Sequence, residues 1–411
     1  MSFSDVQPIK DGQNLLSIMR ENCKKARIAS HIELKEDAID SFLLNVLPAD
    51  PSPSELGSWL ASGFKLPLAY PSLHAEVNVL CHLCMLNSLS GYRTAFHKAL
   101  GQGAHKTIVQ IVMSLYIADP AGDSSRPLSA ETLVCLTPMI LLDLLGLPTH
   151  EEKKHESSPA VVMGVRRRDE IYEALETLCI AANDTGKRLM EMKCPDLGVF
   201  VERTIKESAR LGKTDEERAS LAANTLITAL PVFNDAYNLP LKNGETIPVH
   251  IHKRALLLLS WLHSAFLSGD QGKANFEKLP LPDPAVLPAF VDNVIPSLLV
   301  HFGIIDLRNA KQKGLQEWNA TLSNKQSQPV ESDSVQAGTT LTREEAYLIR
   351  ACSVDACHAI MLRGRQLGKE KNRLWLEGIT EALIDGFLWT QAKRPDLTIV
   401  PRMVEKKTFM Y

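Results

Sequence analysis

No stretch of the 411-residue sequence reaches the roughly 18 uncharged and predominantly apolar residues that a membrane span requires. The longest apolar runs, residues 136–148 (LTPMILLDLLGLP) and 254–262 (RALLLLSWL), are interrupted or short and read as buried helices. An excess of positive charge is also missing. Lysine and arginine total 45 against 48 aspartates and glutamates, a net charge of -3, so no overall basic field exists to hold a nucleic-acid polymer. A small-molecule partner is expected, with neither DNA, RNA nor a membrane. The first 25 residues carry acids early and lack an apolar h-region and a small-residue cleavage site, so a cytoplasmic location is expected. The eight cysteines then read as reduced core thiols and not as a disulfide framework.

Metal and phosphate motifs fail on spacing. Cys81-His82-Leu83-Cys84 is half of a zinc site, but no second Cys pair or close His pair follows at finger spacing, and a structural zinc needs four ligands. Core packing is the expected role, and no metal is expected. Gly101-Gln102-Gly103 lacks a preceding strand and a Gly-Lys-Ser/Thr ending, so it reads as a turn and not as a phosphate loop. The triplet Arg166-Arg167-Arg168 beside Asp169-Glu170 reads as a solvated face. No internal repeat occurs at a 20–50-residue period.

What is present is helical signal. Apolar residues recur at three- and four-residue steps, as in Ile171, Leu175, Leu178 and Ala182, or Ala255, Leu258, Leu259 and Leu262, which predicts helix after helix. Capping hydroxyls ahead of acidic or helix-favouring residues at Ser52, Ser129, Thr214 and Thr342 mark helix starts. Residues 246–252 (TIPVHIH) alternate after Lys242-Asn243-Gly244 and predict a small β-hairpin. The expectation is a mainly α, multi-helix globular fold with at most that one hairpin. Residues 1–150 form an N-terminal helical part and 160–411 a helical core, or the whole is one compact unit. Two polar stretches read as exposed loops, residues 149–159 and about 319–340, the second disordered.

Two aspartates sit where helices are apolar on most of their circumference: Asp292 in LPAFVDNVIPSLLVHFGII and Asp385 in LWLEGITEALIDGFLWTQA. Asp385 shares a helical face with Ala382 and Trp389. A buried carboxylate needs a partner, a shifted pKa or a ligand, and on sequence alone an internal ion pair is the favoured reading of each. Lys253 and Arg254 precede the apolar run ALLLLSWL, where they serve either an internal ion pair or an anionic ligand.

These same segments carry a family likeness. The order Ile247-Pro-Val-His-Ile-His-Lys253-Arg254, Phe290-Val-Asp292, Val294-Ile-Pro296, Leu348-Ile-Arg350-Ala-Cys352, Ile384-Asp385-Gly-Phe-Leu-Trp389 and the terminal Lys406-Lys407-Thr-Phe-Met-Tyr411 resembles the queuosine salvage family. Upstream, Glu21-Asn22, Asn183-Asp-Thr-Gly186-Lys187, Val199-Phe200 and Pro231-Val-Phe-Asn-Asp235 follow the same order, and residues 46–146 match least. The resemblance implies a helical fold similar to DNA glycosylases. It also implies hydrolysis, without metal or cofactor, of the N-glycosidic bond of queuosine 5'-phosphate to release queuine. By that likeness Phe290 and Asp292 hold the base and Asp385 is the catalytic carboxylate, while Lys253 or Arg254 meets the 5'-phosphate and Trp389 lines the site. Gly386 and Thr390 stand where the family's motif has tyrosine and an acid. His74 is a weak match for its N-terminal histidine. The rival expectations are a non-catalytic helical binding or scaffold protein, and a nucleosidase for another nucleotide.

Overall fold

In the computed structural model every residue is described except 1–3, 5, 11, 62–67, 69, 118–126, 156, 243, 268–271 and 326–337. Helix makes up 62% of the chain, in nineteen α-helices among the described residues. Among the described residues the strands form only two-stranded pairs. The chain divides into two units that do not follow sequence order: one is Tyr70–Val201 with Lys406–Tyr411, the other Ser2–Ala69 with Glu202–Glu405.

The second unit is organised around one long helix, Arg343–Lys371, of 29 residues. Thr342 starts it with a capping box, its hydroxyl accepting from Glu345 N–H while Glu345 accepts from Thr342 N–H. Asn372 ends it in the left-handed conformation at φ 52°. Residues from Ala346 to Cys357 are buried in succession, so this helix is enclosed on all sides over three turns, unlike an amphipathic surface helix. Against it pack the helices Leu15–Ala29, Val294–His301 and Glu381–Gln391. The hairpin of Ala236–Pro240 and Thr246–His250 packs there too, with Ala236 opposite His250. Its turn closes at Gly244 with φ +84°, a conformation that only glycine adopts without cost. The helix Pro53–Ala61 lies against Glu381–Gln391 and against Lys253–Phe266.

In the first unit the helix Glu170–Glu191 packs on Ala130–Cys135. Gly186 makes this possible, since a Cβ there would lie 2.6 Å from the Ala130 carbonyl oxygen. Cys81, His82 and Cys84 are buried within the helix Leu73–Met85, as core packing expects, and His82 Nδ1 lies 2.8 Å from the Asn78 carbonyl oxygen.

Each of the four capping hydroxyls is in place. Ser52 and Glu55 bond reciprocally, Ser129 accepts from Thr132 N–H, and Thr214 and Thr342 form capping boxes. The hairpin at residues 246–252 forms as expected, but it is not alone. The stretch at 149–159, read above as a loop, is instead part of a second hairpin, His150–His155 paired with Ser158–Arg166. Its strands are exposed along most of their length, so main-chain hydrogen bonds and not an apolar face define it. Two further pairings are only two residues long, Glu33–Leu34 with Ile305–Asp306 and Thr339–Thr340 with Met403–Val404. The polar stretch from 319 begins as helix and not as loop: Lys313–Lys325 is helical because Leu315, Trp318 and Leu322 bury its apolar face. Of the rest of the expected disordered loop, 326–337 lies outside the described residues, and Thr339–Thr340 at its end is strand and not loop.

The Thr342 cap generates a quantitative expectation. Thr342→Ala removes the hydroxyl acceptor from the central helix and should lower stability by about 1 kcal/mol, read as a reduced urea midpoint with unchanged slope.

Candidate active site

The site grows from a loop that should not be buried. Residues 287–293 form neither helix nor strand and yet every one is buried. Backbone N–H and C=O groups removed from water need partners, and here charged side chains from distant elements supply them. Arg350, wholly buried on the central helix, donates through Nε and Nη2 to the Val291 carbonyl oxygen at 3.1 and 3.0 Å. Its other face makes a bidentate pair with Asp235, Nη1 to Oδ1 at 3.0 Å and Nη2 to Oδ2 at 2.5 Å. Burial would raise the Asp235 pKa, but the charge and hydrogen bonds of Arg350, helped by Arg254 and His252, hold it below the usual carboxylate range. The Asp235 carbonyl oxygen in turn accepts from the Ile251 and His252 N–H groups, which turns the chain from the hairpin into the helix Lys253–Phe266.

That turn is strained. His252 has φ 45°, a region costly for a non-glycine residue, and it is buried. Its Nε2 lies 3.2 Å from His250 Nδ1. Burial pushes the two imidazoles down to about 4 for His250 and about 3 for His252, so both are neutral over the physiological range. Immediately after the turn, Lys253 Nζ lies 3.6 Å from Asp292 Oδ2, with both side chains at least nine-tenths buried. Asp292 Oδ1 accepts from Val294 N–H at 2.7 Å, which orients its carboxylate at the start of the helix Val294–His301.

Asp385 completes the group. It lies on the helix Glu381–Gln391, begun by Thr380, whose hydroxyl accepts from Leu383 N–H. The Phe290 N–H faces its carboxyl group, whereas its Oδ2 has no hydrogen-bond partner among the described residues. Burial first, and then the neighbouring Asp292 charge, push Asp385 up to about 8; Lys253 and the Phe290 N–H oppose the shift. A buried carboxyl group with one unsatisfied oxygen beside a second acid is the kind of environment found at functional sites.

The structure therefore brings Phe290, Asp292, Lys253 and Asp385 together. Arg254 is wholly buried and donates through Nη2 to the Val232 carbonyl oxygen. Trp389 lies one turn beyond Asp385 and carries the Lys393 ammonium 3.6 Å above its ring centroid. His74 belongs to the other unit, where its Nε2 lies 3.2 Å from Asp196 Oδ2. A surface groove of about 760 Å³, lined in part by Arg27, His31, Glu33 and Arg308, shares none of these residues. Its arginines are already paired, Arg27 with Asp355 and Arg308 with Asp306.

The segment that builds this group is also the segment that other proteins share. The model of the queuosine salvage protein family matches residues 196–409, just over half of the chain. The chain belongs to the queuosine salvage protein family. The match takes in Asp235, Lys253, Phe290, Asp292, Arg350 and Asp385, and it leaves Glu21-Asn22 and residues 183–187 outside. Membership ties the protein to queuosine salvage. Among curated proteins, none matches this chain. At Gly386, the residue after Asp385, the structure supplies a local reason for the glycine. A Cβ on Gly386 would lie 2.1 Å from the Trp59 carbonyl oxygen. The Trp59 ring meets the Phe387 ring edge-on, 5.0 Å between centroids.

The pairing of Arg350 and the burial of Asp385 yield two expectations. Arg350→Met leaves Asp235 charged, buried and unpaired and strips the Val291 carbonyl of its donors, so stability should fall by about 3–5 kcal/mol. Chemical denaturation of the variant against the parent measures this. For Asp385 the folded pKa, about 8, exceeds the unfolded value of roughly 4. The folded state then holds a proton that the unfolded state has released, so stability falls as pH rises across that interval. Between pH 6.5 and 8.5 the melting temperature of the parent should drop more steeply than that of Asp385→Asn; parallel slopes would rule out a raised Asp385 pKa.

Proposed function

We propose that this protein hydrolyses the N-glycosidic bond of queuosine 5'-phosphate, releasing queuine for salvage into tRNA modification. The observation that carries the reading is Asp385: buried, with one unpartnered oxygen, and grouped with Phe290, Asp292 and Lys253 inside the segment that matches the family. The reading includes a cytoplasmic location, in keeping with eight free cysteines of which seven are buried.

In this reaction the bond between the anomeric carbon and the base nitrogen breaks. Water supplies a hydroxyl to the carbon and a proton to the base. The sugar passes through an oxocarbenium-like state, which a carboxylate beneath it stabilises or captures. Asp385 takes that role. The base is a 7-deazapurine with carbon in place of N7, so protonating N7 cannot help it leave, and base recognition must contribute instead. Asp292 accepts from the base's N–H donors. Phe290 stacks on its face. Lys253, paired with Asp292, supplies a positive charge within the group and is the cation assigned to meet the 5'-phosphate. The role needs Asp385 ionised, whereas in the empty site its pKa is about 8. Because kcat/KM reports the free enzyme, it should climb with pH about tenfold per unit below that value and level off above it.

The test is an assay of purified protein with queuosine 5'-phosphate, GMP and queuosine in parallel, measuring free base by mass. Turnover of queuosine 5'-phosphate is expected, with the alkaline plateau just described. Asp385→Asn should lower kcat at least about 10²-fold while leaving the fold intact. The departures at Gly386 and Thr390 favour a second reading, a helical binding protein that kept the fold and lost turnover. No free base from any of the three substrates, with saturable binding of the nucleotide, would select that reading and overturn the first.

A further inference from the structure

The loop that carries Phe290 and Asp292 is held to the Asp385 helix by more than Asp385. Two consecutive N–H groups of the loop face two carboxyl groups one turn apart on the helix Glu381–Gln391. Ala289 N–H donates to Glu381 Oε2 at 3.3 Å, and Phe290 N–H faces Asp385. Residues four apart lie on the same helical face, so the pair acts as a two-toothed clip on consecutive residues of the loop. Glu381 is wholly buried. Its other oxygen is occupied on two sides, by Arg20 Nε at 2.8 Å and by His358 Nδ1 at 2.9 Å. Arg20 extends the clip further back, donating through Nη2 to the Val286 carbonyl oxygen at 2.9 Å. The two partners come from different elements, the helices Leu15–Ala29 and Arg343–Lys371. A buried acid served by two such side chains and a loop amide is costly to assemble, and nothing in the proposed chemistry touches it directly.

We infer that Glu381 is a positioning residue: by holding Ala289 N–H it sets where Phe290 and Asp292 stand relative to Asp385, and so where the base sits relative to the carboxylate beneath the sugar. The inference rests on the proposed hydrolysis for its consequence, but the clip itself is a property of the free protein. Each can therefore fail separately. Glu381→Ala removes the acceptor. Glu381→Gln keeps the shape but loses the charge, and its single oxygen cannot serve Arg20 and Ala289 together.

The experiment is hydrogen exchange of the ligand-free protein, followed by mass spectrometry over residues 284–293 and 343–371, with steady-state kinetics on queuosine 5'-phosphate. In Glu381→Ala the loop peptide should exchange at least about tenfold faster, the loss that a charge-assisted hydrogen bond implies, while the central helix keeps its protection. The kcat/KM should fall on the order of 10²-fold, as displacements of about 1 Å at a reacting centre do, and Glu381→Gln should recover part of both. A purely structural role would lower the melting temperature with normal kinetics in the folded fraction. Unchanged exchange of the loop overturns the inference whatever the activity does, and so does a loosened loop with unaltered kcat/KM. Should Glu381→Ala fail to fold, Glu381→Gln decides on the same two readings, and parental exchange in it overturns the inference. A parent inactive on every nucleotide sinks the proposed hydrolysis, while the clip still stands or falls on exchange.

Discussion

The Arg350–Asp235 pair is the interaction on which the rest of this unit depends. One guanidinium, with no exposure at all, spends four donor contacts on two partners far apart in sequence: the carboxylate that closes the hairpin and a carbonyl oxygen of the irregular loop. Arginine suits this place because its planar fork offers five donors in fixed directions and carries its charge at any pH a protein meets. A lysine would satisfy one partner and abandon the other. Because the same aspartate accepts through its main-chain oxygen from the first residues of the strained turn at His252, the pair also determines where Lys253 begins its helix.

Burying an irregular loop is otherwise a poor strategy. A helix satisfies its own amides, whereas residues 287–293 rely on side chains drawn from several helices. The advantage is that such a loop presents consecutive residues in directions that no regular element allows. Phe290 can offer its N–H to Asp385 while, two residues on, Asp292 faces Lys253. The cost falls on the partners, which must be charged, buried and correctly spaced, and this accounts for the concentration of buried acids and bases in an otherwise apolar unit. The elevated pKa of Asp385 follows from the same arrangement, since it is the one acid of the group that burial and a neighbouring acid dominate.

How much of this was legible in the sequence varied with the range of the physics. Cap chemistry is local, and the hydroxyls at Ser52, Ser129, Thr214 and Thr342 all mark real helix starts. Alternation over 246–252 revealed a strand, Thr246–His250, whose burial grows toward Val249 and His250. The charged strand at 150–155 has no buried residue and left no pattern. The helix through Lys325 was hidden because Trp318 and Leu322 outweigh a polar composition only when their packing partners are known. Asp292 and Asp385 stood out as acids in apolar surroundings. Asp235 and Arg350 appeared only as fragments of a likeness, since 115 residues separate them and no sequence period links them. Glu381 gave no signal, because an acid in the first turn of a helix is what the helix dipole favours anyway.

Gly386 has a consequence for redesign. The main chain of Trp59 occupies the volume into which any larger side chain at 386 would grow, and Trp59 lies outside the matched family segment. The two positions therefore tolerate change only together: a side chain at 386 requires the main chain of the helix Pro53–Ala61 to give way first, so the residue beside Asp385 cannot be exchanged as an isolated part of the site.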